Sequence, residues 1–120
     1  MGTTSQLEPV WLVSKGHVLA AAVRATSRAD RRRGLIGVRT VEQPLVLQPC
    51  SWIHTVGMRT AIDVAYVSHD GIVLSLSHMK TWRIGAPVRG SHFVVEAAPH
   101  SFERWNLHVG DEVEVRNVEQ

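Results

Sequence analysis

The chain has 120 residues, 44% of them hydrophobic and 20% charged, with a formal net charge of +2 and one cysteine. That length suffices for one domain with a single core and excludes two, and the balance of residues excludes a disordered chain. No apolar run reaches the ~20 residues of a membrane-spanning helix, and a lone cysteine excludes an internal disulfide and a cysteine-only zinc site.

Met1 to Gln6 lack a basic stretch leading into an apolar core, so no signal peptide is expected, and the expected location is the cytoplasm. Residues 1–8 are polar and are expected to form a flexible N-terminus, followed by a single domain over residues 9–118. Pro9 to Ser14 and His17 to Ala25 read as two strands joined by a tight turn at Lys15-Gly16. Ser27-Arg28-Ala29-Asp30 has the spacing of a capping box, which predicts a short helix running to about Leu35 and stopping near Gly37. That helix carries Arg28, Arg31, Arg32 and Arg33. Clustered arginines can neutralise phosphates, but no nucleic-acid motif accompanies them and no aromatic residue interleaves with them. The cluster therefore reads as a solvated helix face, and nucleic acid is not an expected partner.

Beyond residue 45 the pattern is one of short extended runs between turn residues. Leu45 to Leu47 lies between Pro44 and Pro49, and Ile62 to Val67 and Ile72 to Leu76 flank an Asp70-Gly71 hairpin turn. Phe93 to Ala97 is a further apolar run, Pro99 to Asn106 allows one or two helical turns, and Glu112 to Arg116 alternates as a half-exposed last strand. The sum predicts a mainly β domain, a small β-sandwich or squashed barrel with one or two short helices.

Arg33-Gly34-Leu35-Ile36-Gly37 and the run from Ile53-His54-Thr55 through Met58-Arg59 to Ile62-Asp63-Val64 together resemble the prokaryotic DUF192 family. Trp82-Arg83, Val94-Val95-Glu96 and Val109-Gly110-Asp111 fall where that family has similar signatures, so the resemblance spans roughly residues 24 to 116 and is to the subgroup with a His-Thr-x-x-Met-Arg core. It implies a mainly β domain and supplies no activity. The chain departs from the family pattern at Ala61, where proline is usual, and at His100, near which glycine is usual.

The chemistry concentrates between Cys50 and Val64. Cys50, His54 and Met58 have the spacing of a mononuclear copper loop. In a strand, however, residues four apart lie ~13 Å from each other, and only a tight turn near Gly57 would bring the three to one ion. No metal or other cofactor is therefore expected. As a strand, Cys50, Trp52, His54, Val56 and Met58 share a face. Cys50 with His54 could also make a thiol–imidazole dyad, but a reactive thiolate needs an electropositive setting that this stretch does not offer. Asp63 sits among apolar neighbours on both sides, so it is expected to be buried and partnered, with Arg33, Arg59 and Arg83 as candidate partners. The same argument applies to Glu96, which makes Arg33, Asp63 and Glu96 structural ion-pair candidates. Trp52, Trp82 and Trp105 with Arg83 could line a shallow ligand face.

The function expected on these grounds is non-catalytic binding of an unknown small ligand or protein partner. The candidate site is His54, Met58, Arg59, Asp63, Trp82, Arg83 and Glu96. Two alternatives stand beside it: a hydrolase-like enzyme using Asp63, Glu96 and His54, and a soft-metal protein using Cys50, His54 and Met58.

Overall fold

The computed structural model describes residues 7–118. Of the N-terminal segment expected to be flexible, residues 1–6 lie outside the described residues, while Glu8 already belongs to the first strand. The protein is mainly β, as expected. Strands β1 (Glu8–Ser14), β2 (His17–Ala25), β3 (Leu45–Leu47), β4 (Ile62–Ser68), β5 (Val73–Met79), β6 (Ser91–Ala97) and β7 (Glu114–Asn117) form one seven-stranded sheet in the order β5-β4-β6-β3-β2-β1-β7. Two short helices accompany them, α1 (Arg28–Arg33) and α2 (Ser101–Arg104). Among the described residues no helix is long and apolar enough to cross a membrane.

The turns that the sequence marks are the ones that set the pairing. Lys15 (φ 53) and Gly16 (φ 78) both take positive φ, the condition for a two-residue turn whose twist matches β1 and β2. At the β4–β5 hairpin the Gly71 N–H donates to the Ser68 carbonyl at 2.9 Å. A Cβ at Gly71 would lie 2.9 Å from the Val113 carbonyl oxygen, so this turn also needs glycine for the close approach of the last strand. There the ends of the sheet meet: Val113 N donates to Gly71 O (2.7 Å) and Val73 N to Asp111 O (2.8 Å). The sheet is thus curled nearly shut, and an otherwise bare edge is covered at one end.

Strand β4 is buried on both faces, and its alternation divides two cores. Ala65 and Val67 join Val10, Leu12, Val46 and Val95 inside the curl, where Phe102 and Leu107 from the α2 region plug the end. Ile62, Val64 and Tyr66 face the other way with Leu45, Leu47 and Val94, covered by Ile53, Met58 and the partly buried Leu35. The sheet positions this second layer, and the candidate site lies in it.

Helix α1 starts where the capping box predicts: the Ser27 hydroxyl accepts from Asp30 N at 3.1 Å. It ends two residues earlier than expected, because Gly34 turns the chain with φ 49 and ψ −129. At the head of α2, His100 takes the left-handed conformation (φ 68, ψ 13) at the position near which the family resemblance has glycine. A side chain there costs about 1–2 kcal/mol. The exposed His100–Glu103 contact at 3.0 Å returns little of that. Replacing His100 with glycine is expected to raise stability by about 0.5–1 kcal/mol once the entropy of glycine is counted. Urea denaturation checks this, and an unchanged or lowered midpoint would contradict it.

Candidate functional site

The segment from Cys50 to Ala61 is not the strand that its alternation suggests. It lies outside the named strands, and one isolated bridge, His54 to Ile84, is the extent of its β pairing. The alternation breaks at a tight turn in which Met58 N donates to the Thr55 carbonyl at 3.0 Å and Gly57 takes φ 83. Ile53, Thr55 and Met58 are buried as a result, while Trp52 and Val56 stay exposed. The physical reason is that this segment is held by side-chain and loop bonds rather than by a ladder. Thr55, fully buried, donates its hydroxyl to Lys80 O (2.6 Å), accepts from Arg83 N (2.8 Å), and pairs its own N–H with Arg83 O (2.7 Å). The Trp52 indole adds a bond to Gly85 O at 2.7 Å. Two loops, 50–58 and 80–85, are thereby stitched together over the second core.

Between loop 50–58, α1 and the end of β6 lies a cavity of about 410 Å3, within the ~300–1,000 Å3 usual for small-ligand sites. Arg28, Arg31, Arg32 and Arg33 border it on the α1 side, Trp52, His54 and Met58 line the other wall, and Cys50 and Glu96 also face it. Glu96 is 3% exposed, and its carboxyl makes no hydrogen bond or ion pair among the described residues, leaving Oε1 buried without a partner. Burial pushes its pKa up to about 7. Gly34 closes over it: a Cβ at Gly34 would stand 3.3 Å from Oε1. Burial likewise raises the Cys50 thiol, against a smaller lowering by a backbone hydrogen bond at Trp52; nearby Glu96 adds to the rise and Arg31 opposes it. His54 accepts from Val56 N at Nδ1 (3.1 Å), which leaves the proton of its neutral ring on Nε2.

Asp63 and Glu96 do not meet. Glu96 pairs in register with Val64, so Asp63, one residue away on β4, points to the opposite face of the sheet. Asp63 is buried as expected, but its partner is His78 Nδ1 (3.1 Å), and Phe102 N donates to it at 3.3 Å. It clasps β4, β5 and α2 together, and no arginine takes part. No ion pair joins Arg33 to Asp63 or Glu96. Of the other sequence candidates, His54 and Met58 reach the cavity with Glu96. Arg59 is exposed and unpaired among the described residues. Trp82 is 64% exposed with φ 60, and Arg83 bonds back to its own loop through Thr81 O (3.1 Å). Trp105 packs on Phe102 by α2, away from the other two tryptophans, so the three do not form one face.

The turn at Gly57 does let Cys50, His54 and Met58 line one cavity, the arrangement from which a soft-metal site would start. The donor chemistry opposes it: the thiol proton is engaged with Trp52 O at 3.2 Å, and ionising that thiol is made harder by burial. Among the described residues no three His, Cys, Asp or Glu side chains gather as a metal cluster. The same raised thiol is poorly suited to attack as a nucleophile. Sequence reasoning kept Thr55, Gly34, Arg28, Arg31 and Arg32 out of the candidate binding site and gave Arg33 only as an ion-pair candidate. The first two stood inside the family-like motifs, where a threonine beside His54 and a glycine after Arg33 were the available signals.

Comparison with known proteins agrees with this picture of the fold. The model of the DUF192 family, described as Uncharacterized ACR, matches residues 8–115. A UPF0127 protein of Pyrococcus furiosus is 32% identical over 71 residues, which is 59% of this chain; the matched part is 61% of that relative's length, under two thirds. The crystal structure of a protein of unknown function from Novosphingobium aromaticivorans DSM 12444 superposes with a TM-score of 0.76 at 18% identity, covering 92% of this chain and 86% of the other. A Sinorhizobium meliloti 1021 protein, provisionally named a transcription regulator, does so with a TM-score of 0.75 at 17% identity, covering 95% and 98%. At such identities these two similarities speak to fold alone.

Proposed function

We propose, starting from the fact that this chain belongs to the DUF192 family, that it is a non-catalytic binding domain and that its site is the cavity between α1 and loop 50–58. The observation that carries this reading is Glu96: a buried carboxyl, without a hydrogen-bond partner, lining an open cavity of ligand size. An unsatisfied polar group in a core costs about 1–3 kcal/mol, more if charged, and such groups persist where they serve a function. A ligand group bonded to Glu96 would supply the missing partner. Supporting the non-catalytic side, the two carboxylates that a hydrolase would pair lie on opposite faces of the sheet, and the one thiol is held protonated. The location that goes with this reading is the cytoplasm, where a lone thiol such as Cys50 stays reduced.

A thermal-shift screen of small polar molecules tests the proposal, run on the native sequence and on Gly34→Ala. The added methyl would crowd Glu96 Oε1 and strain a backbone at φ 49, so the variant is expected to lose about 1–3 kcal/mol of stability. Compounds that stabilise the native protein are expected to lose their effect on the folded variant. Compounds that stabilise both equally, or a screen with no stabilising compound, would overturn the reading.

A further inference from the structure

Two features of the cavity differ in chemistry and sit on different walls. Helix α1 has six residues, four of them arginine, and buries none of them. A helix so short gains little from its own hydrogen bonds, so it is held from outside. Ser27 caps it, and Arg31 reaches from it to Thr26 O (3.1 Å) and across to Pro49 O (3.2 Å). What it presents are Arg28, Arg32 and Arg33, which have no ion pair or hydrogen bond among the described residues. These guanidiniums stand at the mouth, where an anion can reach them with forked hydrogen bonds. None of them forms an ion pair with Glu96, whose carboxyl is shifted upward by burial. The deep end of the cavity therefore offers a lone carboxyl and the mouth an unpaired cationic row.

Resting on the binding reading above, we infer that the ligand is a small hydroxylated organic anion, its anionic head held by the α1 arginines and a hydroxyl received by Glu96. A hydroxyl is both donor and acceptor, so it satisfies the carboxyl whether or not that group holds its proton. An ammonium group would instead need a fully ionised, desolvated pair, which is costly to bury. Sugar phosphates and sugar acids share the required chemistry, and the phosphate and carboxylate heads are separable by experiment.

The test is calorimetric titration at low salt with glucose 6-phosphate and with gluconate, using glucose and inorganic phosphate as half-ligand controls. At least one of the two hydroxylated anions is expected to bind about tenfold or more tightly than either control. Which of them binds identifies the head group. The double variant Arg32→Gln/Arg33→Gln, altered at two exposed positions, is expected to lose about tenfold of that affinity, and Glu96→Leu is expected to abolish it. Equal binding of glucose and glucose 6-phosphate, or an undiminished double variant, would overturn the anionic head. Unchanged binding by Glu96→Leu would overturn the hydroxyl contact. If neither anion binds while the thermal-shift screen yields other ligands blocked by Gly34→Ala, the ligand class falls and the cavity reading stands. If the screen is empty as well, both fall.

Discussion

Replacing Glu96 with leucine is expected to make the protein more stable, by on the order of 3 kcal/mol above neutral pH, while destroying the site proposed here. The sign follows from linkage. Burial raises the Glu96 pKa from an ordinary 4.5 to about 7 in the folded chain. Between those values the native state keeps a proton that the unfolded chain has released, so stability falls as pH rises through the interval, and the loss is complete above 7. Leucine has nearly the shape of glutamate without its polar atoms, and it would pack against the aliphatic walls offered by Leu47, Ile53 and Met58. The check is urea denaturation at about pH 5 and about pH 8 for the native protein, Glu96→Gln and Glu96→Leu. The informative quantity is the difference between the native protein and Glu96→Gln, which removes the ionisation but keeps the shape. That difference is expected to widen toward alkaline pH in favour of the variant. A difference that stays constant from acid to alkaline pH would mean that Glu96 is not titrating as a buried acid.

A stabilising substitution at a cavity residue is the usual mark of a position retained for function at a cost to the fold. Asp63 makes the contrast. It too is a buried acid, but two donors satisfy it, one from His78 and one from Phe102 N, so its place is explained by the architecture alone.

Much of this was legible in the chain, and the reasons differ by element. The hairpins at Lys15-Gly16 and Asp70-Gly71 are local chemistry, readable from two residues each. Burial of Asp63 followed from apolar neighbours on both sides, because a strand hidden on both faces has nowhere to expose an acid. What could not be read were the consequences of long-range register. That Asp63 and Glu96 face apart depends on Val64 lying opposite Glu96 across two strands far apart in sequence. The arginine row reads as a solvated face, and it is one; that it also borders a cavity depends on the path of loop 50–58, which no local pattern encodes. That loop misled because Cys50, Trp52, His54, Val56 and Met58 alternate with the period of a strand. Pairing partners decide whether an alternating segment becomes a strand, and here the bonds go instead to Thr55 and the 80–85 loop.

Thr55 should accordingly be the residue on which the site's wall depends. Thr55→Val keeps the shape of the side chain and deletes only the hydroxyl. That hydroxyl is fully buried, donating to Lys80 O at 2.6 Å and accepting from Arg83 N at 2.8 Å. Removing it leaves a backbone donor and a backbone acceptor without their partner, and the expected loss is about 2–4 kcal/mol. Thr55→Ser, which keeps the hydroxyl and gives up one methyl, is expected to lose only ~1 kcal/mol. The two variants therefore separate hydrogen bonding from packing. The effect should also be local in a way that global denaturation does not report. The Thr55 amide, which donates to Arg83 O, and the Arg83 amide, which donates to the Thr55 hydroxyl, are expected to exchange hydrogen faster in Thr55→Val, while β4 and β6 keep their protection. Trp52 and His54 are carried on the same loop, so affinity for any cavity ligand should fall with it. If Thr55→Val proves as stable as Thr55→Ser, with exchange unaltered in both loops, the stitch is not what holds the wall, and the cavity would have to be shaped by α1 and β6 alone.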